Sequence, residues 1–215
     1  MKNRLLALAV LSAMAAAPAS AGVFTVDFEK TWDYVNGGVN DYYNGGAAAD
    51  GSTGGPNLGV SFVGVSGLSN AGGFTYYANA PSMVGVAYAY TDSLGSAAVM
   101  NVAAGVDGFL SFYYSSPVAA TVAVLAYSGL NGTGSLLGSL DLAANSSVAY
   151  DTWTKVHFSF SGTAHSFDLT NSADAVAFDN ISSVPELDAA GFTGAVALLG
   201  GVMGLAAERR RRAVK

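Results

Sequence analysis

Hydrophobic and polar residues alternate with a period of two in many short runs between residues 22 and 183. In residues 155–160 the apolar side chains occupy the even positions, and residues 84–90 alternate in the same way. This period places one apolar and one polar face on a β-strand. Similar runs occupy residues 23–28, 58–65, 97–102, 109–114, 120–127, 136–142, 165–170 and 176–181. The pattern therefore predicts about ten short strands.

The segments between these runs are rich in Gly, Asn, Asp, Ser and Pro, which favour turns, and they contain no sustained helical period. Many short strands joined by turns are typical of an all-β protein, and we expect an antiparallel, jelly-roll-like β-sandwich. The sequence has no internal repeat of fixed period, which argues against a propeller or a β-helix. Residues 22–183 have the length of one domain with its own core.

The N-terminal residues 1–21 have the organisation of a secretory signal peptide. Lys2 and Arg4 precede an apolar run that is too short to span a bilayer, and Ala19 and Ala21 form a small-residue cleavage site. We expect signal peptidase to cut before Gly22, so that the mature chain begins there.

The C-terminal residues 184–215 begin with a short acidic motif and end with a basic tail. Residues 189–207 are uncharged, and at about 1.5 Å per residue a helix of this length nearly spans a ~30 Å hydrocarbon core. The tail, residues 208–215, contains Arg209, Arg210, Arg211 and Arg212. Such a cluster stays in the cytoplasm, so we expect a transmembrane helix with its C-terminus inside and the preceding domain outside.

The order of motif, apolar helix and arginine cluster resembles the PEP-CTERM sorting signal of Gram-negative bacteria. The motif consists of Val184, Pro185, Glu186, Leu187 and Asp188. The resemblance implies transient anchoring in the inner membrane, recognition by an exosortase, cleavage near Pro185 and Glu186, and delivery to the cell surface. Leu187 and Asp188 replace the more common second proline, so this is a VPELD-like variant that implies a different exosortase subtype. A simple C-terminal anchor is the alternative.

The domain between the two signals also resembles a family of secreted PEP-CTERM proteins. The similar segments are residues 42–46, 55–62, 99–105, 111–115, 129–134 and 178–181. The resemblance implies a β-sandwich and a surface location, but no activity.

Charge and cysteine content narrow the possible partners of this domain. Residues 22–183 contain twelve acidic residues against two lysines and no arginine, a formal charge of −10, whereas the whole chain carries −6. This balance argues against a nucleic-acid or anionic-membrane surface and favours cations or neutral polymers. The chain has no cysteine, which excludes disulfides, thiol catalysis and zinc-thiolate sites.

The sequence contains no pattern that selects a catalytic reaction. His157 and His165 are the two imidazoles, and they are expected on different faces of their strands. Residues 64–67 start like a nucleophile elbow, but Leu68 stands where a second glycine is required. A pair of carboxylates could instead catalyse glycoside hydrolysis. The acidic residues are so numerous that some pair is inevitable, so their number alone does not indicate such a site. We therefore expect a noncatalytic protein, with a hydrolase of surface polymers as the alternative.

Three acidic residues near the ends of the domain are candidate calcium ligands. Asp27 and Glu29 lie on the polar face of the first predicted strand, and Asp179 lies on that of the last. Because chain ends often meet, these oxygens are candidates for a structural Ca²⁺. The arrangement resembles the terminal calcium site of many carbohydrate-binding jelly rolls. A solvated acidic face without a metal is the alternative.

Aromatic residues in a long irregular segment are the candidate glycan-binding side chains. Residues 32–57 contain Trp32, Tyr34, Tyr42 and Tyr43, and Trp153 lies in a later turn. Flat rings pack on sugars while Asp and Asn bond the hydroxyls. Alternatively, these rings fold back over the edge of the sandwich.

Taken together, the sequence predicts an exported, noncatalytic protein of the cell surface or extracellular matrix, associated with exopolysaccharide or biofilm. A self-associating structural protein is the other possibility.

Overall fold

The computed structural model describes residues 22–90 and 97–184. The predicted signal peptide, the transmembrane helix and the arginine cluster lie outside these residues. Across the described part, the structure contains no helix of the length and apolarity needed to cross a membrane.

Nine strands form the described domain, and every paired strand is antiparallel. They are β1 (Thr25–Val26), β2 (Val60–Val63), β3 (Val65–Leu68), β4 (Val86–Ala89), β5 (Val99–Ser115), β6 (Ala120–Tyr127), β7 (Leu136–Leu142), β8 (Thr154–Asp168) and β9 (Ala177–Ser182). Two short 3-10 helices occupy Tyr42–Asn44 and Thr170–Ser172.

The long strands β5 and β8 form a ribbon that belongs to both layers of the sandwich. The first layer runs β3, β4, β9, the C-terminal half of β5 and the N-terminal half of β8, with β1 also paired to β9. The second layer runs β2, the N-terminal half of β5, the C-terminal half of β8, β6 and β7. The ribbon changes register between these halves, where Gly105 has φ of 80° and Gly162 has φ of 79°. Only glycine adopts this backbone conformation readily, so these residues let the ribbon bend.

The hydrophobic core lies between the two layers. Phe28, which follows β1, contacts Phe62 of β2 with ring centroids 5.9 Å apart. On the other side of the core, a Cβ atom at Gly138 of β7 would lie 3.3 Å from the Phe158 ring of β8, so β7 packs closely over that strand. These contacts confirm the predicted antiparallel β-sandwich. In the part of the chain that the structure describes, residues 22–184 carry the nine strands and both apolar clusters.

Three predicted strand boundaries are wrong, and glycine is the reason in each case. The predicted strands 97–102 and 109–114 lie mostly within the single strand β5, which begins at Val99. The predicted strands 155–160 and 165–170 lie mostly within β8, which ends at Asp168. The glycines between them form bulges rather than turns. Conversely, the predicted strand 58–65 is divided at Gly64, where φ is 62°. The chain turns at this residue, so β2 pairs with β5 and β3 pairs with β4.

Residues 32–57 form no strand, as predicted, although Gly38 makes one isolated bridge to Ser66. The segment nevertheless contributes to the core, because Trp32, Val39 and Tyr43 are buried in the main apolar cluster.

Candidate functional site

A groove on the outer face of the first layer is the strongest candidate for a binding site. Along β4, Ala87 and Ala89 point into the core, so Val86 and Tyr88 point outward and line the groove. The groove has a volume of about 230 Å³. Its polar and aromatic lining consists of Tyr34, Tyr76, Tyr77, Tyr88, Tyr150 and Asp174, and the remaining lining residues are aliphatic.

Three rings at the groove form an aromatic ladder, consisting of Tyr34, Tyr76 and Phe74. The rings of Tyr34 and Tyr76 are stacked with centroids 5.4 Å apart and planes 3° apart. Phe74 lies 6.0 Å from Tyr76 with planes 21° apart. Tyr34 and Phe74 are each 65% exposed. A row of nearly parallel rings, exposed at Tyr34 and Phe74 and half-buried at Tyr76, gives this surface flat apolar faces that can accept a planar or ring-shaped ligand.

The loops that carry the aromatic ladder are held by side-chain hydrogen bonds to their backbone. In the loop between β3 and β4, Asn70 accepts a bond from the Tyr76 N–H at 2.8 Å and donates one to the Tyr77 carbonyl at 2.9 Å. In the irregular segment, Asp33 accepts the Val35 N–H at 2.7 Å and closes the turn that carries Tyr34. The ladder is therefore built on ordered turns.

Besides the rings of the aromatic ladder, the groove is lined by Tyr88, Tyr150 and the carboxylate of Asp174. Burial raises the pKa of Tyr88 and of Tyr150, and the nearby negative charge of Asp174 raises both further. The phenols are therefore neutral at physiological pH. Asp174 is exposed and has φ of 58°, and its N–H donates to the Ala89 carbonyl at 3.1 Å. The backbone thus holds Asp174 beside β4, at the rim of the groove.

Tyr77 and Trp153 form a buried support next to the groove. Tyr77 is 3% exposed, and its ring meets that of Trp153 edge-on with centroids 6.4 Å apart. The Trp153 indole donates to the Ala78 carbonyl at 2.9 Å. The hydroxyl of Tyr77 is buried without a hydrogen-bond partner. Trp153 is half-buried against this ring, so it braces the loop between β3 and β4.

The structure corrects the predicted set of glycan-binding aromatics. Trp32 and Tyr43 are each 2% exposed and pack in the core, where the Trp32 indole donates to the Phe28 carbonyl at 2.9 Å. Tyr42 is half-buried with its ring against Trp32. These rings fold back because the sandwich edge offers apolar surface to cover. Of the four aromatics predicted in residues 32–57, Tyr34 alone lines the groove.

Sequence reasoning missed most of the groove. Phe74, Tyr76 and Tyr77 follow two glycines with positive φ, and this run of aromatics in a glycine-rich turn was a signal that could have been used. Tyr88 lies in a predicted strand, but its outward direction depends on which face of β4 meets the core. Tyr150 and Asp174 reach the site from distant turns, which no local pattern reveals.

The acidic residues near the domain ends do come close in the fold, because β1 pairs with β9. Asp27 and Glu29 are exposed, whereas Asp179 is fully buried. Glu29 accepts the Val84 N–H at 2.8 Å. Among the described residues, no three His, Cys, Asp or Glu side chains are grouped so that they could hold a metal ion. The calcium site stays a prediction.

Asp179 is the most strongly perturbed carboxyl group near this site. Its Oδ2 accepts the Ser82 N–H at 2.8 Å, and its Oδ1 accepts the Asn180 N–H at 2.7 Å. Burial raises the pKa of Asp179 to about 6, although these donors oppose the rise, and the charge of Glu29 adds to it. Ser82 belongs to the same loop as Tyr76, so Asp179 ties the loop that carries the aromatic ladder to β9.

The two ends of the domain are joined by Ser183. Its hydroxyl donates to the Gly22 carbonyl at 2.7 Å and accepts the Phe24 N–H at 3.0 Å. The predicted mature N-terminus at Gly22 therefore lies against the residue that precedes Val184. The sorting motif follows the last strand directly, without an intervening linker in the sequence.

Comparison with solved structures finds distant similarity to several bacterial domains. The chain is similar to the K1 adhesin domain of Lys-gingipain from Porphyromonas gingivalis W83, with 14% identity, 74% of this chain and 96% of that chain covered, and a TM-score of 0.42. It is also similar to the CBM22-1 xylan-binding domain of Paenibacillus barcinonensis Xyn10C, with 13% identity, coverage of 78% and 96%, and a TM-score of 0.38. Similarity at this level does not indicate a ligand or an activity. No curated protein sequence matches the chain.

The C-terminal segment gives a specific match. Residues 184–214 match the VPEID-CTERM protein sorting domain. This confirms the resemblance found for the VPELD-like motif, and such a domain implies processing by an exosortase-type enzyme and direction to the surface. The chain is therefore an exported, surface-directed protein whose C-terminal residues form a VPEID-CTERM protein sorting domain.

Proposed function

We propose that the protein is a noncatalytic glycan-binding component of the exopolysaccharide or biofilm layer, and that the groove with its aromatic ladder is the binding site. The observation that carries this proposal is the exposed stack of Tyr34, Tyr76 and Phe74. Sugar rings present apolar C–H faces that pack on aromatic rings, while their hydroxyls bond to polar groups at the rim.

The polar groups of the groove suit this role. Tyr88 and Tyr150 place neutral phenol groups next to the Asp174 carboxylate. Phenols donate and accept hydrogen bonds, and a carboxylate accepts two or more. A few polar groups in a mostly apolar groove would orient a sugar without holding a large hydration shell.

The composition of the groove supports a noncatalytic role. Asp174 is the one acidic residue among the described residues that line it, and no histidine lines it. Hydrolysis of a glycoside usually requires two carboxyl groups about 5–9 Å apart, and acyl transfer requires a nucleophile with a base. Neither pair is present on the described lining of the groove.

The position of the groove fits a surface protein that is held at its C-terminus. Ala177 at the start of β9 lines the groove, and the sorting motif follows Ser182 at the end of the same strand. Five residue steps at about 3.3 Å each separate these points by roughly 17 Å. The groove therefore lies about one strand length away from the start of the sorting domain.

The proposal is tested by cosedimentation of residues 22–184 with the exopolysaccharide of the producing organism. We expect the unmodified fragment to bind, and the double variant Tyr34→Ala, Tyr76→Ala to lose most of that binding. Tyr127→Ala is the matched control, because this half-buried tyrosine lies on β6 in the second layer. Equal binding by the double variant and the unmodified fragment would refute the site.

A failure of the fragment to bind would instead favour the structural alternative. In that case, sedimentation velocity measurements at increasing concentration should detect self-association of the fragment. Binding without self-association keeps the glycan-binding proposal.

A further inference from the structure

We infer that the ligand of the groove carries ammonium groups, so that the polymer it recognises contains amino sugars with free amines. The inference rests on the proposed glycan-binding function and specifies its ligand class. It is drawn from the combination of tyrosine rings and one carboxylate in a groove whose described lining contains no basic residue.

The charge of the groove disfavours anionic polymers and favours cationic ones. The described lining contains Asp174 and no lysine, arginine or histidine. The surrounding domain is strongly acidic, with twelve acidic residues against two lysines in residues 22–183. A polymer of uronic acids or sulfated sugars would bring like charges to this surface, which is unfavourable. A cationic polymer would instead be attracted to it.

The aromatic residues provide the second attraction for a cation. Tyrosine rings attract a positive charge placed over their faces within about 6 Å, and the aromatic cages that bind ammonium ligands use this interaction. Five tyrosines line the groove, and the face of Tyr34 is largely exposed. Because the tyrosines surround a site that also contains a carboxylate, one amino group could contact both a ring face and Asp174.

The position of Asp174 is defined by its backbone. Its φ of 58° is a left-handed conformation in which Asp and Asn are enriched among non-glycine residues. The N–H of Asp174 is bonded to the Ala89 carbonyl, so the residue is held next to β4 while its side chain remains exposed. Asn tolerates the same conformation, and Asp174→Asn therefore removes the charge with little disturbance of the fold.

The test compares three oligosaccharides of equal length with the folded fragment 22–184: a glucosamine oligomer, its N-acetylated counterpart and a uronic acid oligomer. Affinities are measured by titration calorimetry at a mildly acidic pH at which the free amines are protonated. We expect the glucosamine oligomer to bind about tenfold more tightly than the acetylated one, from one cation–π contact and one exposed charge pair together. The uronic acid oligomer should bind most weakly.

Two variants separate this inference from the proposed function. Asp174→Asn should lower the affinity for the glucosamine oligomer several-fold and leave the acetylated oligomer unchanged. Asp107→Asn, which removes an exposed carboxylate from β5, is the control for net charge. If Asp107→Asn has the same effect as Asp174→Asn, the attraction is not local and the inference is wrong.

The remaining outcomes are also decisive. Equal affinity for the amino and acetylated oligomers would overturn the ammonium inference but keep glycan binding. Tighter binding of the uronic acid oligomer would overturn the inference as well. If none of the three oligomers binds and the natural exopolysaccharide does not bind either, the proposed function fails together with the inference.

Discussion

The hydroxyl oxygen of Ser82 lies 2.6 Å from Oδ1 of Asp179 and also 2.7 Å from the backbone carbonyl oxygen of Asp27. A hydroxyl group has one proton, and a carbonyl can only accept a hydrogen bond. Ser82 therefore donates to only one of these two oxygens at a time. Its bond to Asp179 opposes the rise in the pKa of that carboxyl, but burial outweighs it and raises the pKa to about 6, so Asp179 takes up a proton as pH falls through this value.

This proton makes the stability of the domain depend on pH. The pKa of Asp179 is about 6 in the folded state and 3.8 for an unperturbed aspartate, so between these values the folded state binds more protons than the unfolded state. The free energy of unfolding therefore falls as pH rises from about 4 to about 6. The whole pKa difference changes the free energy of unfolding by about 3 kcal/mol.

We expect Asp179→Asn to remove most of this pH dependence, as measured by urea unfolding at several pH values on both sides of 6. Glu29 adds negative charge next to this carboxyl, while Tyr43 and Tyr77 stay neutral because burial raises their pKa values. Asp50 takes up its proton at a lower pH than Asp179, because its ion pair with Lys30 and its bonds to Ser52 lower the pKa of Asp50 to about 2. A variant with the same slope between pH 4 and 6 as the unmodified fragment would contradict the assignment to Asp179.

The same carboxyl group provides a test of calcium binding. Both oxygens of Asp179 already accept N–H bonds from Ser82 and Asn180, so a calcium ion would have to replace or share these donors. On this basis we expect the melting temperature of fragment 22–184 to be the same with calcium and with a chelator, at a pH above 6. A calcium-dependent rise that Asp179→Asn abolishes would instead establish the calcium site predicted from the sequence.

Trp32 and Tyr34 lie two residues apart in the sequence and have opposite expected roles. Trp32 is buried, and a Cβ atom at Gly67 would lie 2.1 Å from its ring, so the indole fills its space completely. We expect Trp32→Ala to lower the free energy of unfolding by roughly 3–5 kcal/mol. Tyr34→Ala should cost about 1 kcal/mol or less, because this ring is exposed and loses one stacking contact.

Denaturant unfolding and polymer binding of the two variants together check this difference. Tyr34→Ala should reduce binding while the fragment remains folded. A stable Trp32→Ala fragment with reduced binding would show that the indole serves the ligand rather than the core.

The sandwich could be predicted from the sequence because alternation reports which strand faces are buried. The groove could not be predicted, since its residues come from five separate regions, represented by Tyr34, Tyr76, Tyr88, Tyr150 and Asp174. Whether an aromatic residue in a loop packs inward or outward depends on which apolar surface the sheets leave uncovered. Trp32 covers such a surface at Gly67, and this removed it from the predicted site. The sorting signal was recognisable because its order along the chain, rather than its fold, defines it.

The junction of the two chain ends supports a final expectation. Ser183 joins Gly22 and Phe24 through its hydroxyl, and its own N–H donates to the Phe24 carbonyl at 3.1 Å. Ser183→Ala would leave the buried Phe24 N–H without its acceptor, and such a loss costs about 1–3 kcal/mol. We expect that decrease in the free energy of unfolding, together with faster amide hydrogen exchange at Phe24. Ser159→Ala on the exposed face of β8 is the control and should change neither quantity. Unchanged exchange at Phe24 in Ser183→Ala would show that pairing of β1 with β9 alone holds the N-terminus against the sorting motif.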